Sequence, residues 1–204
     1  MAWPAAQTTG VLLAGGRSTR MGGRNKAFAA VRGEPIAART LRVLGSLFSD
    51  VVVATNDPDR YRGFDVAIVT DEYPHRGPLA GVHAAMGRAK HPYLFVVACD
   101  MPGLDPRTIE FLLAQVDDAE AVVPRWDGDI EPLHAVYAAA TRPIAEACLR
   151  DGRAAMRDFL PRLRVTYVGE EALAHVAGTA ESFLNVNTPE ELAAVGGRFE
   201  EAEP

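Results

Sequence analysis

The sequence of 204 residues lacks several features that define common classes of protein. It has only two cysteines, Cys99 and Cys148, and two cysteines in a chain of this length are not a disulfide framework. Its longest uninterrupted apolar run, YLFVVAC at 93–99, is too short to span a bilayer. The opening residues MAWPAAQTT have neither the charged start nor the long apolar core of a signal peptide. We therefore expect a cytoplasmic protein without a membrane partner.

The chain also has no excess of positive charge. It contains 21 lysines and arginines against 27 aspartates and glutamates, which gives a formal net charge of −6 at pH 7. A general nucleic-acid binder needs a broad basic face, so we expect no nucleic-acid partner. An anionic ligand of this chain must be held by a local group of basic residues.

An alternation of apolar runs and helical periods predicts the secondary structure, with no internal repeat and no low-complexity linker. Short runs rich in valine and isoleucine predict buried strands at 10–14, 50–55, 65–70, 93–99, 119–124 and 164–168. Apolar stripes and prolines at helix starts predict helices at 36–48, 78–90, 106–116, 142–150, 153–160 and from Pro189. Strands that alternate with helices indicate an α/β fold, with a mainly parallel sheet between two layers of helices. We expect one domain over 1–204, with a core at about 10–195 and short flexible ends.

Four glycines and four basic residues lie between Gly15 and Lys26. Gly15 and Gly16 follow a predicted strand, where we expect positive φ angles that let the backbone turn and approach a ligand. The N–H groups of such a loop can bind an anion, and Arg17, Arg20 and Lys26 add positive charges suited to phosphate. The spacing is neither that of a Walker A loop nor G-x-G-x-x-G. The residues alone therefore leave two interpretations, a polyphosphate site of another kind or a solvated basic loop.

Gly15, Asn56, Asp71 and Asp100 each come directly after a different predicted strand. Because ligands bind off the carboxyl ends of the strands in open parallel sheets, we expect these residues to meet at one edge. A carboxylate at Asp100 facing a phosphate loop suits Mg²⁺, which takes one or two carboxylates and shares phosphate oxygens. The alternative is that Asp100 caps or braces the turn before Pro102.

Two further segments combine turn signals with candidate ligands. In TDEYPHRGPLAGV a glycine flanks Pro-Leu-Ala on each side, which would let the backbone lie against a flat ring, or would simply open a helix. NVNTPEEL offers Asn185 and Asn187 as neutral oxygen ligands. Within it, Thr188 followed three residues later by Glu191 predicts a capping box.

Four motifs, in this order and spacing, resemble those of the molybdenum cofactor guanylyltransferases: LLAGGRSTRMGGRNKA, DEYPHRGPLAGV, VVACDMP and FLNVNTPEEL. These enzymes belong to the superfamily of nucleotidyltransferases with a Rossmann-like fold. The resemblance covers about 10–195 and implies a three-layer αβα fold with a mixed, mainly parallel sheet. The opening motif is shared across the superfamily, whereas LAGG combined with GPLAG resembles the guanylyl branch more than the cytidylyl branch.

The resemblance also implies roles for residues of this sequence. It implies a GTP site made of Leu13, Ala14, Gly15, Gly16, Arg17, Lys26, Asn56, Asp71, Gly81 and Asp100. In that site Lys26 would bind the phosphates, and Asn56 and Asp71 would contact the guanosine. Asp100 would hold Mg²⁺ and Asn187 would share the ion, with Asn185 as the alternative second ligand.

The implied reaction transfers GMP from GTP to the phosphate of molybdopterin and releases pyrophosphate. The attacking phosphate monoester has a second pKa of about 6, so it is already an anion near neutral pH and needs no general base. We assign no histidine to catalysis. Neutralisation of charge is the main demand, and we assign it to Arg20, Lys26 and Asp100. Asp71 would select guanine, because a carboxylate can accept from both N1–H and the 2-amino group.

One position departs from the family pattern. Glu131 in DIEPLHAVY stands where relatives often have Gln or His before the proline, and the segment belongs to the acceptor side. The alternative is therefore a related nucleotidyltransferase with another nucleotide or acceptor: molybdopterin cytidylyltransferase, phospholactate guanylyltransferase or a sugar-phosphate enzyme. A non-catalytic nucleotide-binding protein is a further alternative, which the presence of Lys26 and Asp100 disfavours. Beyond GTP and molybdopterin, we expect transient contact with cofactor-biosynthesis proteins or molybdoenzyme chaperones, and a monomer or weak oligomer.

Overall fold

A computed structural model describes residues 4–15, 25–74 and 76–199. Its strands are β1 (Thr8–Leu13), β2 (Ala30–Val31), β3 (Glu34–Pro35), β4 (Val51–Ala54), β5 (Ala67–Val69), β6 (Tyr93–Ala98), β7 (Ala121–Trp126), β8 (Asp129–Ile130), β9 (His134–Ala138), β10 (Val165–Val168) and β11 (Gly197–Arg198). Its α-helices are α1 (Ile36–Leu47), α2 (Gly77–Arg88), α3 (Pro106–Leu113), α4 (Arg142–Arg150), α5 (Met156–Phe159), α6 (Glu170–Leu173), α7 (Thr179–Ser182) and α8 (Pro189–Ala194). The central sheet has the order β10-β7-β9-β6-β1-β4-β5, with β8 paired to β7, and a small sheet has the order β11-β2-β3.

The central sheet is mixed and mostly parallel, as predicted. β1 pairs in parallel with β4 on one side and with β6 on the other, and β10 pairs in parallel with β7. β9 runs antiparallel to both of its neighbours, β6 and β7. The alternation of strands and helices did not reveal β9. A local signal was present, since Asp127 and Gly128 both have positive φ in the two-residue turn between β7 and β8, as an Asp-Gly hairpin turn requires.

Side chains that alternate along the central strands build a core on each face of the sheet. Leu12 of β1 belongs to the core that includes residues of α1 and α3. Its neighbours Val11 and Leu13 belong to the core that includes residues of α2, α4 and α5. Gly10 lets α1 approach closely, because a Cβ there would lie 2.6 Å from Cδ2 of Phe48. The result is the three-layer arrangement that the resemblance implies.

Two predicted helices are shorter than expected. The helix predicted at 106–116 ends at Leu113. The one predicted at 153–160 is reduced to Met156–Phe159, followed by a 3-10 turn at Leu160–Arg162, where Pro161 has no N–H to continue the helix. In the described ranges, no helix is both long and apolar enough to cross a bilayer.

The order of the strands fixes where a ligand can bind. From β1 the chain passes to β4 and β5 on one side, and then returns to β6 on the other side of β1. A reversal of this kind opens a crevice off the carboxyl ends of the strands. We call the ends of β1, β4, β5 and β6 and the loops that follow them the carboxyl edge.

Candidate functional site

Backbone hydrogen bonds gather the loops of the carboxyl edge around the end of β1. The N–H of Ala14 donates to the carbonyl of Ala54 over 2.9 Å, and the N–H of Cys99 donates to the carbonyl of Leu13 over 3.1 Å. Gly15 is exposed, and nothing lies within 4 Å of where its Cβ would be. The positive φ that we expect at Gly15 is wrong, since its φ lies outside the left-handed region. The glycine therefore leaves open space rather than making a left-handed turn.

Three predicted residues of the phosphate loop, Gly16, Arg17 and Arg20, lie outside the described residues. Their roles stay predictions.

Lys26 brings two distant parts of the chain together. It begins a 3-10 turn whose first N–H groups are capped by Asn25, which accepts from the N–H of Ala27 over 3.0 Å. Its Nζ donates to Oδ2 of Asp100 at 2.5 Å and to Oδ1 of Asn187 at 3.0 Å. Both predicted metal ligands therefore contact one ammonium group, whereas the sequence assigns Lys26 to the phosphates.

Asp100 has hydrogen-bonding capacity left over. Its Oδ1 is buried and has no hydrogen-bond partner among the described residues. A buried carboxylate oxygen without a partner is costly, and such an atom is the kind of group that a cation or a ligand satisfies. Asp105 rather than Asp100 caps α3, and the alternative that Asp100 braces the turn before Pro102 stays a prediction.

The loop before α8 holds Asn187 beside Asp100. The N–H of Val186 donates to the carbonyl of Asp100 over 2.9 Å. The predicted capping box is present: Thr188 accepts from the N–H of Glu191, and Glu191 Oε2 accepts from the N–H groups of Asn187 and Thr188. Asn185 turns elsewhere, and its Nδ2 lies 3.5 Å from the carbonyl of Phe183. Of the two asparagines, the structure therefore places Asn187 at the site.

The donor set of Asp100 and Asn187 fits a hard divalent cation. It offers carboxylate and amide oxygens, one of them buried and unpartnered, and Mg²⁺ is commonly bound by one or two carboxylates plus phosphate oxygens. Among the described residues there is no cluster of three or more His, Cys, Asp or Glu that could hold a metal.

A second group of predicted residues, Leu13, Asn56, Asp71 and Gly81, lies beside the first; we call it the guanine-side cluster. Asn56 Nδ2 donates to Asp71 Oδ2 over 2.8 Å, and the N–H of Asp71 lies 3.3 Å from Asn56 Oδ1. A Cβ at Gly81 would lie 3.1 Å from Cδ2 of Leu13 and 3.6 Å from Oδ1 of Asp71. Gly81 thus gives the cluster a surface without a side chain.

Contacts with α4 hold the loop that carries Asp71, and the sequence analysis did not find them. Glu72 forms an ion pair with Arg142 at 2.8 Å, and the hydroxyl of Tyr73 donates to Glu146 over 3.1 Å. The ring of Tyr73 also meets the ring of His83 edge-on, with 5.5 Å between centroids. Acidic residues beside Asp71 and basic residues on the predicted α4 were the only available signal.

Two buried histidines, His83 and His134, have no hydrogen-bond partner among the described residues with which to exchange a proton. The ring nitrogens of His83 and His134 are buried and have no partner among the described residues. Burial lowers the pKa of His134 to about 3. Burial, and then the positive charge of Arg142, lower the pKa of His83. Both rings are therefore neutral near pH 7, which agrees with assigning no histidine to catalysis.

Glu131 lies near the carboxyl edge. It is half-buried, and its N–H donates to the carbonyl of Pro124 over 2.9 Å. Burial, and then the negative charges of Asp100 and Asp129, raise the pKa of its carboxyl group. Glu131, the residue that departs from the family pattern, is therefore close enough to Asp100 for the charge of Asp100 to raise its pKa.

Comparison with known proteins places the chain among nucleotidyltransferases. A family model described as "MobA-like NTP transferase domain" matches residues 10–175. The molybdenum cofactor guanylyltransferase of Desulfosudis oleivorans is 37% identical over 185 residues, which cover 90% of this chain and 92% of that one. A probable molybdenum cofactor guanylyltransferase of Pelotomaculum thermopropionicum is 38% identical over 91% of this chain and 90% of its own.

A solved structure extends the similarity to the backbone. The crystal structure of molybdopterin-guanine dinucleotide biosynthesis protein A from Archaeoglobus fulgidus matches with a TM-score of 0.80 and 26% identity, over 92% of this chain and 96% of that one. The protein belongs to the MobA-like NTP transferase family.

Proposed function

We propose that the protein transfers GMP from GTP to the phosphate of molybdopterin, releasing pyrophosphate and forming the guanine dinucleotide form of the cofactor. The observation that carries this proposal is the contact of Lys26 with both Asp100 and Asn187 at the carboxyl edge, in a chain 37% identical to a protein named molybdenum cofactor guanylyltransferase. That edge also carries the guanine-side cluster, so one site offers groups for a base and for phosphates.

The chemistry of this transfer depends on charge. A triphosphate must meet a second phosphate anion, and charge builds up on the leaving pyrophosphate. Asp100 and Asn187 would hold Mg²⁺, which when bound supplies positive charge to the phosphates. Lys26 would contact the triphosphate, together with Arg20 and Arg17 of the glycine-rich loop. No group of the chain needs to take a proton, because the acceptor phosphate is already ionised near pH 7.

Guanine would be recognised by Asp71. Asn56 occupies one side of the carboxylate through its 2.8 Å hydrogen bond to Oδ2, which would hold the group in one orientation. Oδ1 faces the bare surface of Gly81 and could accept from the guanine edge, while Leu13, Ala14 and Gly15 would lie against the nucleotide. Cytosine and uracil lack the pair of donors that a carboxylate accepts. We expect Asp71→Asn to lose the preference for GTP.

We further propose that the enzyme acts in the cytoplasm, as a monomer or weak oligomer. Its substrates would be GTP and molybdopterin, and we expect transient contact with other cofactor-biosynthesis proteins or with molybdoenzyme chaperones.

A nucleotide panel tests the function. Thermal unfolding is measured with GTP, CTP, UTP and ATP in the presence of Mg²⁺, since a ligand that binds the folded state raises the midpoint. GTP should give the largest shift, and pyrophosphate should be released only when molybdopterin is also added. A larger shift with CTP, or no pyrophosphate with GTP and molybdopterin, would contradict the proposal.

A further inference from the structure

The ammonium group of Lys26 occupies the position expected for a divalent cation. It contacts Asp100 Oδ2 and Asn187 Oδ1 at 2.5 and 3.0 Å, and these are the two residues that the resemblance implies as metal ligands. The remaining carboxylate oxygen, Asp100 Oδ1, is buried and unpartnered among the described residues. The ammonium group, with its single positive charge, therefore bonds only part of this set of oxygens. A divalent cation could also bond the oxygen that has no partner.

Two cations that share Asp100 Oδ2 and Asn187 Oδ1 would lie a few ångström apart. Charges of the same sign at that distance repel strongly where water is partly excluded, and the side chains of Lys26 and Asp100 are only 20% and 17% exposed. A metal that is bound by both Asp100 and Asn187 must therefore displace the ammonium group. Lys26 can leave at low cost only if another anion receives it, and a triphosphate is such an anion.

We propose that Lys26 occupies the divalent-cation position until a triphosphate draws it away, so that metal and GTP bind cooperatively and the metal alone binds weakly. This inference rests on the proposed function, which supplies the triphosphate. The coupling is reciprocal: GTP increases the affinity for the metal by the same factor by which the metal increases the affinity for GTP. Metal would then be held mainly when a substrate is present to use it.

The other lysine of the sequence provides a matched control. Lys26 and Lys90 are the two lysines of the chain, and each forms an ion pair with an aspartate. Lys90 pairs with Asp50 at 3.5 Å, but Asp50 also accepts hydrogen bonds from Thr9 and from the N–H of Lys90. Removing Lys90 therefore leaves a carboxylate that is still hydrogen-bonded.

The first experiment measures binding of Mn²⁺ alone by loss of the free-ion electron paramagnetic resonance signal, without nucleotide or acceptor. Lys26→Met should bind Mn²⁺ at least about tenfold more tightly than the wild type, within the usual range of coupling between sites. Lys90→Met should bind like the wild type, and Asp100→Asn should abolish the gain in the Lys26→Met background. Equal Mn²⁺ affinity in Lys26→Met and the wild type, or a gain that persists without Asp100, would overturn the proposal.

A second experiment uses the wild-type protein and does not depend on the folding of a variant. Lys26 and Lys90 are labelled with acetic anhydride and compared by mass spectrometry, with Lys90 as the internal reference. Addition of Mg²⁺ at high concentration without nucleotide should raise the labelling of Lys26 relative to Lys90. An unchanged ratio at Mg²⁺ concentrations that raise the unfolding midpoint would contradict displacement of Lys26.

Neither experiment contains GTP or molybdopterin, so each outcome is independent of the reaction catalysed. If metal displaces Lys26 but no pyrophosphate is released in the nucleotide panel, the proposed function fails and the cation exchange stands. If GMP transfer occurs but Lys26→Met gains no Mn²⁺ affinity, the exchange fails and the function stands.

Discussion

Two aspartate–lysine pairs lie at opposite ends of the central sheet, and they differ in how completely the carboxylate is bonded. Asp50, just before β4, is 5% exposed and accepts from the Thr9 hydroxyl and the Lys90 N–H, at 2.8 and 3.1 Å, besides pairing with the Lys90 ammonium group. Asp100, just after β6, has one bonded oxygen and one that is buried without a partner in the described part of the chain. A carboxylate such as Asp50, whose oxygens all have partners, supports the fold. A carboxylate such as Asp100, with one buried oxygen that has no partner among the described residues, indicates a place for a ligand at the carboxyl edge.

The largest expected effect is a difference in the rate of GMP transfer between variants of Asp100 and Asp50. Asp100→Asn should lower the rate of GMP transfer by about 10²- to 10³-fold, the loss typical of one electrostatic contact to a transition state, because it weakens the site proposed for Mg²⁺, whose positive charge would offset the repulsion between the phosphates. Asp50→Asn should leave the rate within about twofold of the wild type once the protein is folded. Pyrophosphate release at saturating GTP, Mg²⁺ and molybdopterin measures both, and similar losses in the two variants would end the distinction.

The neutral side chain of His134 tests whether a buried polar atom without a hydrogen-bond partner always marks a ligand site. His134 resembles Asp100 Oδ1 in this respect, but its ring packs on Phe95 and Phe183 and belongs to the core. Its pKa in the folded protein is about 3, against about 6.5 in the unfolded chain. As pH falls below about 6.5 the unfolded state takes up a proton that the folded state does not, so stability falls by up to about 1.4 kcal/mol per pH unit.

Urea unfolding between pH 7 and pH 4 measures this dependence. His134→Leu should reduce the loss of stability over this range by roughly 3 kcal/mol, and the part of the loss that comes from His83, whose pKa burial also lowers, should remain. The rate of GMP transfer at pH 7 serves as the second readout and should change far less than in Asp100→Asn. A slope that stays unchanged in His134→Leu would mean that other groups dominate acid unfolding.

Asp50 should matter for stability rather than for catalysis. Burial alone raises the pKa of Asp50, but the hydrogen bonds from Lys90 and Thr9 and the positive charges of Lys90 and Arg88 outweigh it, so the pKa is lowered. A lowered folded pKa stabilises the protein above the unfolded pKa of about 3.9, and this contribution is lost as pH falls through the folded pKa. Asp50→Asn should therefore cost about 1–3 kcal/mol at pH 7, and the difference from the wild type should shrink below about pH 4.

Urea unfolding of both proteins at pH 7 and pH 3 checks this prediction. Asp100→Asn is the control, and its free energy of unfolding at pH 7 should change less, because it removes a single side-chain ion pair at a part-exposed position. If the free energy of unfolding falls less in Asp50→Asn than in Asp100→Asn, then Asp100 rather than Asp50 is the aspartate that stabilises the fold.

The same contrast explains how much of the molecule the sequence could predict. Runs such as GVLLA and YLFVVAC have the composition of buried parallel strands, and the rule that ligands lie off the carboxyl ends then placed Asp71 and Asp100 at one edge. β9 was not predicted, because the alternation of strands and helices indicates only parallel strands and the Asp127–Gly128 turn signals the hairpin of β7 and β8 instead. The apolar stripe that continues to Val116 did not reveal that α3 ends at Leu113. The stripe at 153–160 also did not show that Pro161 limits α5.

Contacts between distant segments could not be predicted from spacing. The sequence suggested that Asp100 and Asn187 share a cation, but it could not show that Lys26 fills the position between them. Nor could it show that Tyr73 and Glu72 fasten the Asp71 loop to α4, because these pairs form only when the helices pack on the sheet. The resemblance therefore identified the candidate site residues, whereas their hydrogen-bond and ion-pair partners could be seen only in the folded structure.

The smallest expected effect concerns the surface at Gly81, which we propose lies against the guanine base. Gly81→Ala would place a Cβ 3.1 Å from Cδ2 of Leu13 and 3.6 Å from Oδ1 of Asp71, so a neighbour must move by a few tenths of an ångström and the space beside Asp71 narrows. The KM for GTP should rise by less than about tenfold while kcat changes little, since uniform binding is weakened. Stability should change little, because the preference for alanine over glycine inside a helix, up to about 1 kcal/mol, offsets the cost of moving the Leu13 side chain.

Gly45→Ala is the control, in helix α1. Nothing lies within 4 Å of where its Cβ would be, so the change adds a methyl group without a clash and without contact to the guanine-side cluster. It should leave the KM for GTP unchanged. If both alanine variants raise the KM equally, the effect belongs to the replacement of a helical glycine in general, and the bare surface at Gly81 has no special relation to the base.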